Sequence, residues 1–166
     1  MSERGRLASP LGLTLELELR TLDEVRSSHP AVRRFAAELG FERLAQWQVT
    51  IAASEAGTNM VKYGGGGRLA LRRIADPRAG LRLEARDFGP GIVNLQRALE
   101  DHISEGNDVR VRVLDQDHRG LGIGLGAIAR MMDALGWENL TDGGLLWAEK
   151  YLGAGRRLAV DLWQAR

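Results

Sequence analysis

The chain has 166 residues, 44% of them hydrophobic and 27% charged, with 23 Lys and Arg against 22 Asp and Glu. That length suits one domain able to bury about 70% of its unfolded surface, and the near-neutral charge balance argues against a protein built to coat nucleic acid. The chain has no cysteine, so disulfides and thiolate metal sites are excluded; it also has no apolar run long enough to span a bilayer and no apolar centre in its first ten residues, so the expected setting is the cytoplasm, with neither membrane nor nucleic acid as partner.

Leu11, Leu13, Leu15, Leu17 and Leu19 alternate with Gly12, Thr14, Glu16 and Glu18, the period of a strand with one buried face. Thr21-Leu22-Asp23-Glu24 is a capping box that should open a helix. His29-Pro30 is expected to break or restart it, before a stripe of Val32, Phe35, Ala36 and Leu39 and a C-capping Gly40. A second helix is predicted from Glu42 to Tyr63, its apolar content supplied by Leu44, Trp47, Val49, Ile51, Ala52, Ala56 and Met60, and four glycines, Gly64 to Gly67, end it. Strands over Arg68–Ile74 and Leu81–Asp87 should form a hairpin through Ala75–Gly80.

A short helix is expected near residues 93–99, and the charged stretch 100–119 reads as a mobile segment. Gly122 to Leu135 reads as a helix with Ile123, Ile128, Met131, Met132 and Leu135 inward. Strands over Trp137–Thr141, Leu145–Leu152 and Leu158–Trp163 close the chain. The pattern is α+β: a two-layer sandwich of a mostly antiparallel mixed sheet with helices packed on one face. One domain over 11–166 is expected, preceded by a flexible segment 1–10.

Three stretches carry chemistry. In Ser54–Gly64, Glu55 and Asn59 lie one helical turn apart and share a face. An amide oxygen is a hard, neutral ligand suited to Mg²⁺, and a carboxylate beside it can accept a proton from a hydroxyl attacking a phosphate. Lys62, a further turn on, could neutralise phosphate charge. Taken alone, the pair is also what a solvated helix face carries. In Asp87-Phe88-Gly89-Pro90-Gly91-Ile92, the carboxylate could accept from the amino group of adenine, and two glycines let the backbone pass under the base; a plain turn has the same composition. Gly120-Leu121-Gly122-Ile123-Gly124-Leu125-Gly126 runs into a helix and offers free N–H groups to phosphate oxygens. It is neither a Walker loop nor a dinucleotide fingerprint, and close helix packing is its other explanation.

In this order the stretches resemble the N, G1 and G2 boxes of the GHKL ATP-binding superfamily, whose ATP-binding unit is the Bergerat fold. Ala36–Phe41, Gly124–Asp133 and Glu149–Leu152 extend the likeness to about residues 15–152. Among its branches the chain is most similar to the bacterial serine kinases that regulate sigma factors by partner switching, especially the stressosome switch kinases. Lys62-Tyr63 echoes the histidine kinases, but no separate helical domain with a phosphoacceptor histidine is found, and His29, His102 and His118 are expected at the surface.

The resemblance implies ATP and Mg²⁺ as cofactors, Glu55 as general base and Asn59 as metal ligand. It implies Asp87 as adenine anchor, with Gly89, Gly91 and Ile92 shaping the base pocket. Gly120, Leu121, Gly122, Gly124 and Leu125 would close over the phosphates. A STAS-domain protein would be the substrate. The alternative is a nucleotide-binding or pseudokinase module that sequesters a sigma factor, phosphatase or cyclase; a homodimer is open in either case. One departure stands out. Where the family carries a threonine whose hydroxyl supports the adenine, this chain has Gly144-Leu145-Leu146, and the hydroxyl lost at Leu145 predicts weaker nucleotide binding.

Overall fold

The computed structural model describes residues 6–8, 14–89 and 124–153. The elements run β1 (Arg6–Ala8), β2 (Thr14–Leu19), α1 (Leu22–Glu38), α2 (Arg43–Gly64), β3 (Gly67–Ile74), β4 (Gly80–Asp87), α3 (Gly124–Met131), β5 (Ala134–Leu140) and β6 (Gly143–Tyr151). Six strands form one sheet in the order β1-β2-β3-β4-β6-β5, and every described pairing is antiparallel. Arg6–Ala8, within the segment expected to be flexible, pairs with β2. The expected short helix at 93–99, the charged stretch 100–119 and the last strand at 158–163 lie outside the described residues.

Period-two patterning sorts the sheet into two faces. Leu15, Leu19, Leu69, Leu71, Leu81, Leu83, Ala85, Leu146 and Ala148 face the helices and are buried with Val25, Val32 and Phe35 of α1, Val49, Ala52, Ala56 and Met60 of α2, and Ile128 of α3. The alternate positions carry charge and lie on the other face. There Arg72 bridges Glu16 and Glu84 at 3.4 and 3.2 Å, and Arg82 bridges Glu84 and Glu149 at 3.0 and 2.8 Å while lying over the Trp147 ring. This is the α+β two-layer architecture expected.

Helix α1 starts at the capping box: Thr21 Oγ1 accepts from Glu24 N at 3.2 Å, and the Glu24 carboxylate accepts from Thr21 N. The Arg20 and Thr21 N–H groups hold the Glu24 carboxyl below the ordinary glutamate range. Contrary to expectation, Pro30 does not break α1. It sits on the solvent side, as does Arg26 one turn earlier, so water can satisfy the carbonyl that loses its donor. His29, expected at the surface, is half-buried with its Nε2 unpartnered among the described residues. The C-terminus closes as a Schellman turn on Gly40 at φ +89°, with Gly40 N donating to Ala37 O and Phe41 N to Ala36 O.

Helix α2 presents small residues inward, and a Cβ on Gly57 would fall 3.1 Å from Leu19 Cδ1 and 3.2 Å from Val25 Cγ2, so the helix lies close on the sheet. Leu44, Trp47 and Ile51 stay exposed along its outer side, with the Arg33 guanidinium over the Trp47 ring. Among the described residues no helix is long and apolar enough to cross a membrane.

Helix α3 ends sooner than periodicity implies, and Leu135 belongs to β5. Asp133 decides this. Its N–H donates to Glu149 O, and its buried carboxylate accepts from Lys150 Nζ at 3.2 Å and Tyr151 N at 2.8 Å, turning the chain into the sheet. Asp133→Ala should cost roughly 3 kcal/mol by leaving a buried cation unpaired, whereas Asp133→Leu with Lys150→Met should recover much of that loss in urea denaturation. Burial, with the hydrogen bond donated to Glu149, pushes the Tyr151 hydroxyl up to about 12 from 10.0. Because the folded value is the higher one, stability is retained below pH 10 and falls as pH rises through about 12; Tyr151→Phe should flatten that part of an alkaline stability profile.

Candidate functional site

Glu55, Asn59 and Lys62 share one side of α2, with Glu55 and Asn59 half-buried and Lys62 exposed. Glu55 makes no ion pair among the described residues, so its carboxylate is available to a ligand. The helix stops where Gly65 takes a left-handed conformation at φ +70°, and Gly66 N donates to Met60 O. That places the helix end directly on the end of β4.

The contact there depends on missing side chains. A Cβ on Gly64 would fall 2.4 Å from Asp87 Cβ, and one on Gly89 would fall 2.8 Å from Tyr63 O and 2.9 Å from Gly64 Cα. From the other side, a Cβ on Gly143 would fall 1.9 Å from Asp87 O. Asp87 is therefore wedged between the end of α2 and the β5–β6 turn. Its Oδ1 accepts from Gly89 N at 2.9 Å, and its Oδ2 accepts nothing from the described residues. Among the described residues the fold thus presents a fixed carboxylate with one free acceptor. At 1.5 Å per residue, Asn59 lies about 7.5 Å and Glu55 about 13.5 Å up the helix axis from Gly64. An elongated ligand with an amino group at one end and anionic groups at the other matches that spacing.

The α3 end is described only in part. Gly124 opens the helix and Leu125 follows, and α3 packs against α2. Leu125 is 7% exposed and belongs to the core, so it can offer a ligand its backbone N–H and not its side chain. Gly91, Ile92, Gly120, Leu121 and Gly122 lie outside the described residues.

The register corrects one reading of the sequence. Leu145 pairs with Arg86, on the charged face, and so projects away from Asp87. The residue opposite Asp87 is Gly144. A hydroxyl at position 145 would lie on the charged face of the sheet, and Gly144, the residue opposite Asp87, has none. Sequence reasoning also missed Trp137 and Asn139, which face Gly144 from β5, where Trp137 Nε1 donates to Asn139 Oδ1 at 2.8 Å. A strand pattern holding an indole and an amide two residues apart was the available signal; its partner across the sheet was not.

Among the described residues no group of three or more His, Cys, Asp or Glu could hold a metal ion. A divalent cation here would rest on a neutral oxygen such as that of Asn59 together with oxygens of a bound ligand, an arrangement suited to Mg²⁺.

Comparison with known proteins bears on the family. The family described as "Histidine kinase-like ATPase domain" matches residues 16–150. The chain is also 35% identical over 102 residues to "Serine/threonine-protein kinase RsbT" of Bacillus subtilis (strain 168), covering 61% of this chain and 68% of that protein. Because Gly64 touches Asp87, Gly64→Ala should push the carboxylate aside and cost roughly 1–3 kcal/mol of stability from overpacking, read in urea denaturation, with the circular dichroism spectrum unchanged. The matched span takes in β2 to β6, the helix with Glu55 and Asn59 and the wedged Asp87, and the chain belongs to the histidine kinase-like ATPase domain family.

Proposed function

We propose that this chain is an ATP-dependent serine/threonine protein kinase of a bacterial partner-switching pathway, acting in the cytoplasm on a STAS-domain protein. The observation that carries the reading is the pairing of Glu55, without an ion-pair partner among the described residues, with Asn59 on one side of α2, above a carboxylate fixed at Asp87. The likeness to a serine/threonine kinase supports the reaction class. The sequence resemblance to the stressosome switch kinases supports the partner.

In this reading Asp87 Oδ2 accepts from the adenine amino group and sets the base end. The phosphates extend along α2, with Lys62 near their charge and the first N–H groups of α3, at Gly124 and Leu125, toward their oxygens. Asn59 would hold Mg²⁺, which when bound neutralises phosphate charge. Glu55 takes the proton of the partner's serine hydroxyl as its oxygen bonds to the γ-phosphorus. The bond from that phosphorus to the bridging oxygen of ADP breaks, leaving phosphoserine and ADP. The alternative, a nucleotide-binding or pseudokinase module that only sequesters a sigma factor, phosphatase or cyclase, draws on the missing threonine hydroxyl and on the charged stretch 100–119; undetectable binding of Mg-ATP near millimolar nucleotide would favour it over the kinase.

The test is transfer of the γ-phosphate from Mg-ATP to purified STAS-domain proteins of the source genome. Glu55→Gln should lower the transfer rate by about 100-fold or more, the usual cost of removing a general base, with ATP affinity within about two-fold of wild type. Asn59→Ala should abolish transfer and weaken Mg-ATP binding while leaving magnesium-free ATP binding unchanged. Equal transfer by wild type and Glu55→Gln would remove Glu55 from the chemistry.

A further inference from the structure

At the end of the sheet, Asp87 of β4, Gly144 of β6 and Asn139 of β5 form one rung. All three positions belong to the helix-covered face, because they alternate in register with Ala85, Leu146 and Trp137 and not with the charged residues of the open face. The middle of the rung has no side chain, and an indole fills the space. A Cβ on Gly144 would fall 2.4 Å from Cη2 and 2.6 Å from Cζ2 of Trp137. Asn139 Oδ1 accepts from the indole Nε1 at 2.8 Å, which satisfies the donor and fixes the ring direction. Neighbouring strands lie about 4.8 Å apart, so the ring edge over Gly144 lies about one strand from Asp87.

The ring is only partly covered. Trp137 packs against the core and is half-buried. A flat apolar surface beside a fixed carboxylate with one free acceptor is a match for a nucleobase: polar at its amino edge, apolar on its faces.

We propose that Trp137, held by Asn139 over the bare Gly144, is the wall of the base pocket opposite Asp87 and contributes directly to binding the purine of ATP. This rests on the reading of Asp87 as the base anchor. It adds a binding residue and a constraint: Gly144 and Trp137 are a matched pair, because the space over the rung holds one side chain and not two. Gly144→Thr must displace the indole, and Trp137→Ala makes room for that threonine.

The experiment measures affinity of the full chain for ATP and, separately, for inorganic tripolyphosphate, which has the phosphates and no base. The proteins are wild type, Trp137→Ala, Trp137→Phe, Gly144→Thr and the Trp137→Ala/Gly144→Thr double variant, each checked by circular dichroism and thermal melting. Trp137→Ala should weaken ATP binding about 10-fold, in line with loss of one aromatic contact to a base, and leave tripolyphosphate binding unchanged. Trp137→Phe should keep most of the affinity. Gly144→Thr should lose ATP binding, and the double variant should regain part of it. ATP affinity within two-fold of wild type in Trp137→Ala, or equal weakening toward ATP and tripolyphosphate, overturns this assignment and leaves the anchor at Asp87 standing. A wild-type chain that binds tripolyphosphate and ATP equally overturns the anchor and the wall together.

Discussion

The contact between Gly64 and Asp87 is the constraint on which the rest of the site depends. One backbone, at the end of α2, touches the last side chain of β4, and it can do so only because neither Gly64 nor Gly89 has a Cβ. That contact sets the height of α2 along the sheet, and Glu55 and Asn59 follow from it because a helix is rigid over two turns. The small inner face of α2, with Ala52, Ala53, Ala56 and Gly57 buried, sets its depth. Together they make the placement of Glu55 and Asn59 relative to Asp87 a property of one helix.

The two ends of the sheet have different tasks. At the Asp87 end the strands give up side chains at Gly143 and Gly144 so that neighbouring segments can approach. At the other end Asp133 ties the exit of α3 to Lys150 and Tyr151 of β6. Helix α3 is thereby held at its C-terminus by a buried ion pair, with Gly124 and Leu125 at its N-terminus on the side of α2. A buried pair is a weak source of net stability, whereas breaking it is costly, so it ties the exit of α3 to β6. The open face, with Glu16, Arg72, Glu84, Arg82 and Glu149 in alternating sign, keeps the uncovered side of the sheet wet.

Much of the fold was legible because local rules act within a few residues. The Thr21–Glu24 box and the Gly40 and Gly65 turns carry their own signals, and so does the alternation in β2. Where the reading failed, a longer range was in control. Pro30 is a helix breaker by local rule, yet it is tolerated because tertiary packing turns its side of α1 to water. Leu135 continues a helical stripe, but a carboxylate two residues earlier had already been captured by β6.

The sequence by itself determined the chemistry on offer: a carboxylate and an amide one turn apart, an acid before a glycine turn, and glycines leading into a helix, in an order that resembled a known ATP-binding family. Those are properties of spacing, and spacing is written in the chain. Only the tertiary structure decided which groups face each other. Register put Gly144 and not Leu145 opposite Asp87, because a strand reverses face at every residue and a shift of one exchanges the helix-covered face for the charged one. Trp137 comes to lie over Gly144 for the same reason: its neighbours lie across hydrogen bonds between strands, where residues distant in the chain become adjacent and no local pattern records the meeting.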